Sequence, residues 1–291
     1  MSETDRIRYE VPEPGIARVV LARPEKKNAQ DKRMLYQLDD AFSRATQDDD
    51  IKVIILAADG TDFSSGHDLS RSAFVATEDN PFRPIQLQGG FETKGAEGIL
   101  AVESEVFVDL CWRWRNIPKP TIAQVHGRAI AGGLMLVWPM DLVVASEDAT
   151  FSDPTVAFGL NGLEYHDHLW QLGARKAKEI LFTGRPLTAA EAERVGMVNQ
   201  VVPRAELEGA TLALARTIAE RPMFGLKTAK LSINQGLEAQ GQYNHIKSAY
   251  ALHALGHTHF MALGGSPIER NGKGKIRELS GAKQTDATSY H

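Results

Sequence analysis

Up to Val202 the chain alternates short runs of β-branched and aliphatic residues with helical apolar periods, a pattern that restricts the fold to the α/β class. The runs are residues 17–21 (ARVVL), 53–58 (VIILAA), 121–125 (TIAQV), 142–145 and 149–152. The first two are bounded by Pro or by Asp-Gly, as buried strands are. Between them Asp31 is suited to cap a helix, and Met34, Leu38, Phe42 and Ala45 recur at a spacing that lines one helical face with apolar groups for the sheet. A second helix is expected over residues 98–116, stopped by Ile117-Pro118-Lys119-Pro120, and AIAGGLMLVW (129–138) reads as a short apolar helix.

Beyond Val202 the periodicity becomes helical, over residues 207–219, 225–234 and 239–259. The organisation expected is therefore a core over 1–203, a helical subdomain over 204–260 and a flexible tail over 261–291, which is rich in Gly, Lys, Ser and Thr. Residues 70–94 lose periodicity and carry Pro81, Pro84, Gly89 and Gly90, the composition of a long surface excursion that shapes a pocket.

Charge and cysteine content limit the partners. With 33 Lys+Arg against 37 Asp+Glu, the net charge of -4 gives no field to draw nucleic acid or an anionic membrane. The Trp112-Arg113-Trp114-Arg115 segment lacks a wider basic patch and reads as a helix end with its aromatics partly packed and its arginines solvated. Cys111 is the single cysteine, so neither an intrachain disulfide nor a multi-cysteine zinc site is available, which fits a reducing compartment. The N-terminus has no apolar stretch of the kind a secretory signal needs, and the longest uncharged run, 129–140, falls short of the ~18 residues that span a bilayer. A cytoplasmic location is expected.

Two glycine-containing segments follow strands. FSSGHDL (63–69) comes after VIILAADG, where small residues let backbone amides turn towards a ligand; HGRAIAGG (126–133) comes after TIAQV, where unpaired amides at a helix start favour developing negative charge. Taken in order with Arg23-Pro24 through Asn28-Ala29, Leu181 through Arg185 and Ala189 through Ala192, they make residues 7–235 resemble the crotonase family, the enoyl-CoA hydratase/isomerases.

The resemblance implies a crotonase-like ββα spiral core, a helical C-terminal part used to form a homotrimer or dimer of trimers, a CoA thioester as substrate and no permanently bound cofactor. It also implies that the N–H groups of His67 and Gly132 hold the thioester oxygen as it becomes an enolate, and that Lys26, Ala29, Ser65, Asp68 and Leu69 line the CoA channel.

One departure stands out. Where family hydratases carry two catalytic glutamates, this chain has Met135 and Thr155, neither of which serves as a base near neutral pH. Acid–base work is then expected from the segment 161–168. Glu164 is the nearest candidate there, with His166, Asp167 and His168 as alternatives and Asp153 a further one. A carboxylate buried beside an apolar acyl pocket is expected to have a raised pKa. The rival reading is an acyl-CoA binding protein without turnover; within enzymes, the rivals are an isomerase, a hydrolase or an unusual hydratase. His253, His257 and His259 share a helical spacing without an adjacent carboxylate pattern, and are expected to be surface or subunit-interface residues rather than metal ligands. Ser64 and Ser65 lack the nucleophile elbow that a hydrolytic serine requires.

Overall fold

The computed structural model describes residues 5–70, 72–87, 89–264 and 267–269. Its strands and helices are numbered in chain order. β1 (Ile7–Glu13) and β2 (Ile16–Leu21) form an antiparallel hairpin with Gly15 at φ +82° in the turn. From β2 the sheet continues in parallel through β3 (Val53–Ala58), β4 (Thr121–Val125), β6 (Leu142–Ser146) and β9 (Gln200–Val202). A second, smaller sheet joins β5 (Arg128–Ile130), β7 (Thr150–Ser152) and β8 (Leu187–Thr188).

The apolar runs are unbroken because the large sheet is buried on both faces. Ala17, Val19, Leu21, Ile54 and Leu56 point one way, onto α1 (Lys32–Gln47), whose Met34, Leu38, Phe42 and Ala45 are all buried. Asp31 caps this helix by accepting a hydrogen bond from the Met34 amide at 2.8 Å. Ile16, Val20, Val53, Ile55, Ile122 and Val144 point the other way, onto Leu207 and Ala215 of α7 (Leu207–Ala219). That helix, expected in a C-terminal subdomain, thus packs on the sheet itself.

Three expectations need correction. The helix placed at 98–116 is α2 (Ala96–Glu103), a π-helical turn (Ser104–Asp109) and α3 (Leu110–Arg115), and such π turns often mark sites where a side chain must be re-aimed. Arg115 is not solvated: it is buried and donates to Gln242 Oε1 and Glu238 Oε1, while Trp114 Nε1 donates to Asp39. The AIAGGLMLVW segment begins in β5, and only Gly132–Val137 forms a helix, α4.

The remaining helices are α5 (His168–Thr183), α6 (Ala189–Arg194), α8 (Met223–Ala239) and α9 (Gln242–Gly264). α9 carries helix past the boundary expected at 260, and the rest of the expected tail, apart from 267–269, lies outside the described residues. Among the described residues no helix is long and apolar enough to cross a membrane.

Candidate active site

The two glycine segments are tied together by Gln30. Its Nε2 donates to the Gly132 carbonyl at 2.8 Å and to Ser64 Oγ at 3.1 Å, and its backbone bridges to residues on either side of His67. That bridge uses the Gly66 carbonyl and the Asp68 amide, which leaves the amide of His67 outside it. Gly132 opens α4, where the Leu134 and Met135 amides go to the Ala131 carbonyl and that of Ala131 goes to Ser152. Glycine is required at both crossings: a Cβ on Gly66 would stand 2.8 Å from the Ile130 carbonyl oxygen, and one on Gly132 would stand 2.4 Å from the His67 ring. Ser64 is consumed structurally, its hydroxyl donating to the Asn28 carbonyl and accepting from Gln30.

Beside this crossing lies a cavity of about 750 Å³. Ser65, His67, Asp68 and Leu69 line it from the first segment, and Ile130, Ala131 and Thr155 from the second segment and the β7 end. Of the residues expected along a CoA channel, Lys26 is exposed and Ala29 half-buried, and neither is on this wall; Asp68 is pinned by Arg23 at 2.9 Å.

Of the candidate acids and bases, Glu164 reaches the cavity. Its Oε1 is 3.7 Å from His67 Nδ1 and 3.4 Å from His253 Nε2. Burial alone would push this carboxyl up, as expected from the sequence, but the neighbouring imidazoles His67 and His253 outweigh it and hold it below the usual carboxylate range. His67 moves the opposite way from a paired histidine: burial lowers its pKa, and the Glu164 carboxylate beside it only partly offsets this. The ring is stacked on Phe107 of the π turn, with centroids 3.9 Å apart, and Phe74 meets its edge.

The other candidates stand elsewhere. His168 is fully buried with Nε2 2.9 Å from Asp153 Oδ2, and Asp153 also accepts from the Thr155 hydroxyl and amide and the Leu163 amide. These contacts make Asp153 a brace for the turn before α5. His166 Nε2 faces the Asn161 carbonyl, and its ring lies against His168. Neither histidine lines the cavity. Met135 is sealed in the core, whereas Thr155 is on the wall.

Asp167 does not cap α5 with its side chain; it is buried and accepts from Gln171 at 2.7 Å and Gln242 at 2.9 Å. Burial pushes its carboxyl up to about 6. A folded-state value above the unfolded one means that its contribution to stability is full below about pH 4 and is lost as pH rises through about 6. Asp167→Asn is therefore expected to gain on the wild type by about 2 kcal/mol between about pH 4.5 and about pH 7.5, read from denaturant unfolding; parallel pH profiles would contradict this.

The residues that sequence reading misplaced are His253 and His257. Both are buried rather than at the surface, and both line the cavity with Glu103, the last residue of α2. His253 Nε2 is 3.0 Å from His257 Nε2, and His257 Nε2 is 3.1 Å from Glu103 Oε1. Burial disfavours a charge on His253, but Glu164 and Glu103 outweigh it and raise the ring to about 9. His259 is exposed.

Residues 12–83 and 92–261 match the family described as enoyl-CoA hydratase/isomerase. The chain belongs to that family. It is 40% identical over 271 residues to the putative enoyl-CoA hydratase EchA13 of Mycobacterium tuberculosis, covering 91% of this chain and 85% of that protein. The crystal structure of a probable enoyl-CoA hydratase from Mycobacterium smegmatis superimposes with a TM-score of 0.81 at 48% identity, covering 90% of this chain and 99% of the other. A monofunctional enoyl-CoA isomerase from M. smegmatis gives a TM-score of 0.63 at 27% identity over 80% of this chain and 94% of the other. The fold is the crotonase fold, mixed α/β with a helical C-terminal region, and enzymes of this family act on CoA thioesters.

Proposed function

We propose that this enzyme moves protons on an unsaturated acyl-CoA, shifting its double bond, with Glu164 as the group that takes and returns the proton. The observation that carries this reading is the place of the Glu164 carboxylate, on the cavity wall between His67 and His253; the reading takes Met135 and Thr155 to replace the family's two acids, as the resemblance implies. Glu164 removes a proton from the carbon next to the thioester carbonyl. The C–H electron pair moves into the carbonyl, whose oxygen becomes an enolate held by the His67 and Gly132 amides. The protonated Glu164 then returns the proton at the far end of the conjugated system, which leaves the double bond one position over and Glu164 ionised again.

Two features support this assignment. The Gly132 amide packs against Gly66, the residue before His67, and among the described residues neither the His67 nor the Gly132 amide donates to a backbone carbonyl, as suits fixed donors that stabilise a developing oxyanion without reorganisation. The stacked Phe107 and the Glu164 carboxylate fix the His67 ring, and with it the loop that carries its amide.

One observation favours hydration as a second reading. Glu103 places a second carboxylate on the same wall, and two of the three relatives named above are described as hydratases. Incubating the protein with 2-enoyl- and 3-enoyl-CoAs in ¹⁸O-labelled water separates the two. A product isomeric with the substrate and free of label is expected. A labelled hydroxyacyl-CoA would establish hydration instead, and tight binding with no product would leave a binding protein.

A further inference from the structure

The contacts around His253 and His257 leave a chemical imbalance. His253 Nδ1 faces the Gly162 carbonyl at 2.7 Å, and His257 Nδ1 faces the Pro267 carbonyl at 2.6 Å. A carbonyl oxygen only accepts, so each ring donates from Nδ1, and with both rings neutral each would turn a bare Nε2 lone pair inward. The two lone pairs then face each other at 3.0 Å, with Glu103 Oε1 at 3.1 Å from the second. All three atoms are acceptors, and they lie within 4.8 Å of one another. Glu103 Oε2 is buried beside them with no hydrogen-bond partner. Such a point needs a positive species at its centre, either an extra proton or a cation.

We propose that Glu103, His253 and His257 form a binding site for a divalent transition-metal ion of the zinc class on the cavity wall. Four features fit an ion. The i, i+4 spacing puts both imidazoles on one face of α9, and the end of α2 brings the carboxylate to them. Ligands about 2.0–2.1 Å from a common ion lie roughly 3–3.5 Å apart, close to the two short separations here. Each imidazole gives its other N–H to a backbone carbonyl, the outer contact that fixes the tautomer of metal-bound histidines. Two nitrogen donors with one carboxylate suit zinc, cobalt or iron(II) rather than the all-oxygen preference of magnesium or calcium.

The ligand set is complete without Glu164, which remains the proton-transfer group of the proposed reaction. Glu164 Oε1 is 3.4 Å from His253 Nε2, so an ion would sit beside it; metal binding is read from titration and the Glu164 chemistry from turnover, and either can fail without the other. The site could not be seen in the sequence, where the histidine pair has no nearby carboxylate; the helical turn ending at Glu103 supplies it from a distant part of the chain.

The test is a titration of the full-length protein, freed of metal by chelator, with Zn²⁺ by calorimetry and with Co²⁺ by visible absorption. One equivalent is expected, with absorption of nitrogen–oxygen ligated cobalt, and with at least about tenfold weaker binding in His257→Ala and Glu103→Gln. His259→Ala, exposed on the same helix, should bind as the wild type does. On the unaltered protein, imidazole ¹⁵N resonances should show the Nε2 signals of two histidines moving on addition of one equivalent of Zn²⁺, a readout that needs no variant to fold. No saturable equivalent, binding that survives both substitutions, or ¹⁵N signals of a stable imidazolium unmoved by Zn²⁺ would overturn the proposal and leave a proton at the centre.

Discussion

Exchanging Gly132 for alanine is expected to lower turnover by about 10²–10³-fold, the usual cost of losing one oxyanion donor. The new Cβ would stand 2.4 Å from His67 Cδ2, 2.5 Å from His67 Nε2 and 2.9 Å from Gln30 Oε1. None of these neighbours yields easily. The His67 ring is held against Phe107, and the Gln30 side chain bonds both the Gly132 carbonyl and Ser64. Relief must come from shifting the 63–69 loop or the start of α4, which would separate the two amides proposed to hold the enolate oxygen. Overpacking of this kind also costs about 1–3 kcal/mol of stability, so the melting temperature should fall together with the rate. A rate within about threefold of the wild type would show that the two amides do not share one oxyanion.

Glu164→Gln is expected to reduce turnover by about 10²–10⁴-fold while leaving thioester affinity close to that of the wild type. The substitution keeps the volume and a carbonyl oxygen for His253 and His67 to face, but the side chain no longer exchanges a proton at neutral pH. His166→Gln serves as the contrast, because that ring faces the Asn161 carbonyl and lies off the cavity wall. Steady-state kinetics on the two variants should separate them: a large loss in kcat for the first and little change for the second. The reverse pattern would move the proton-transfer role to the 165–168 turn.

What the sequence revealed followed the range of each interaction. β3, β4 and α7 fall on the residues expected, β2 starts one residue earlier, and α1 starts directly after its expected Asp31 cap, because their apolar periods are local and both sheet faces are buried. β1 went unseen: it is an edge strand, half-buried, and its charged residues mask the alternation. The π turn also leaves no period to read, yet it places Phe107 against His67.

The pocket shows the same division. His67, Gly132 and Glu164 lie on segments that a reader can pick out, whereas Gln30, Glu103, His253 and His257 enter through contacts between distant parts of the chain. The pKa of Glu164 was misjudged for that reason. Its apolar burial is evident from its segment, but the two imidazoles that reverse the shift arrive from the 63–69 loop and from α9.

If Glu164 exchanges protons with the carbon beside an enolate-stabilised thioester, as proposed, mass-resolved hydrogen exchange reads it directly. Wild-type protein and Glu164→Gln are incubated side by side in D₂O with a saturated acyl-CoA and with a 3-enoyl-CoA, and the recovered thioesters are weighed. Deuterium should enter the thioester in the wild type and not in the variant. Equal exchange in both proteins would contradict the account and place the base elsewhere on the cavity wall.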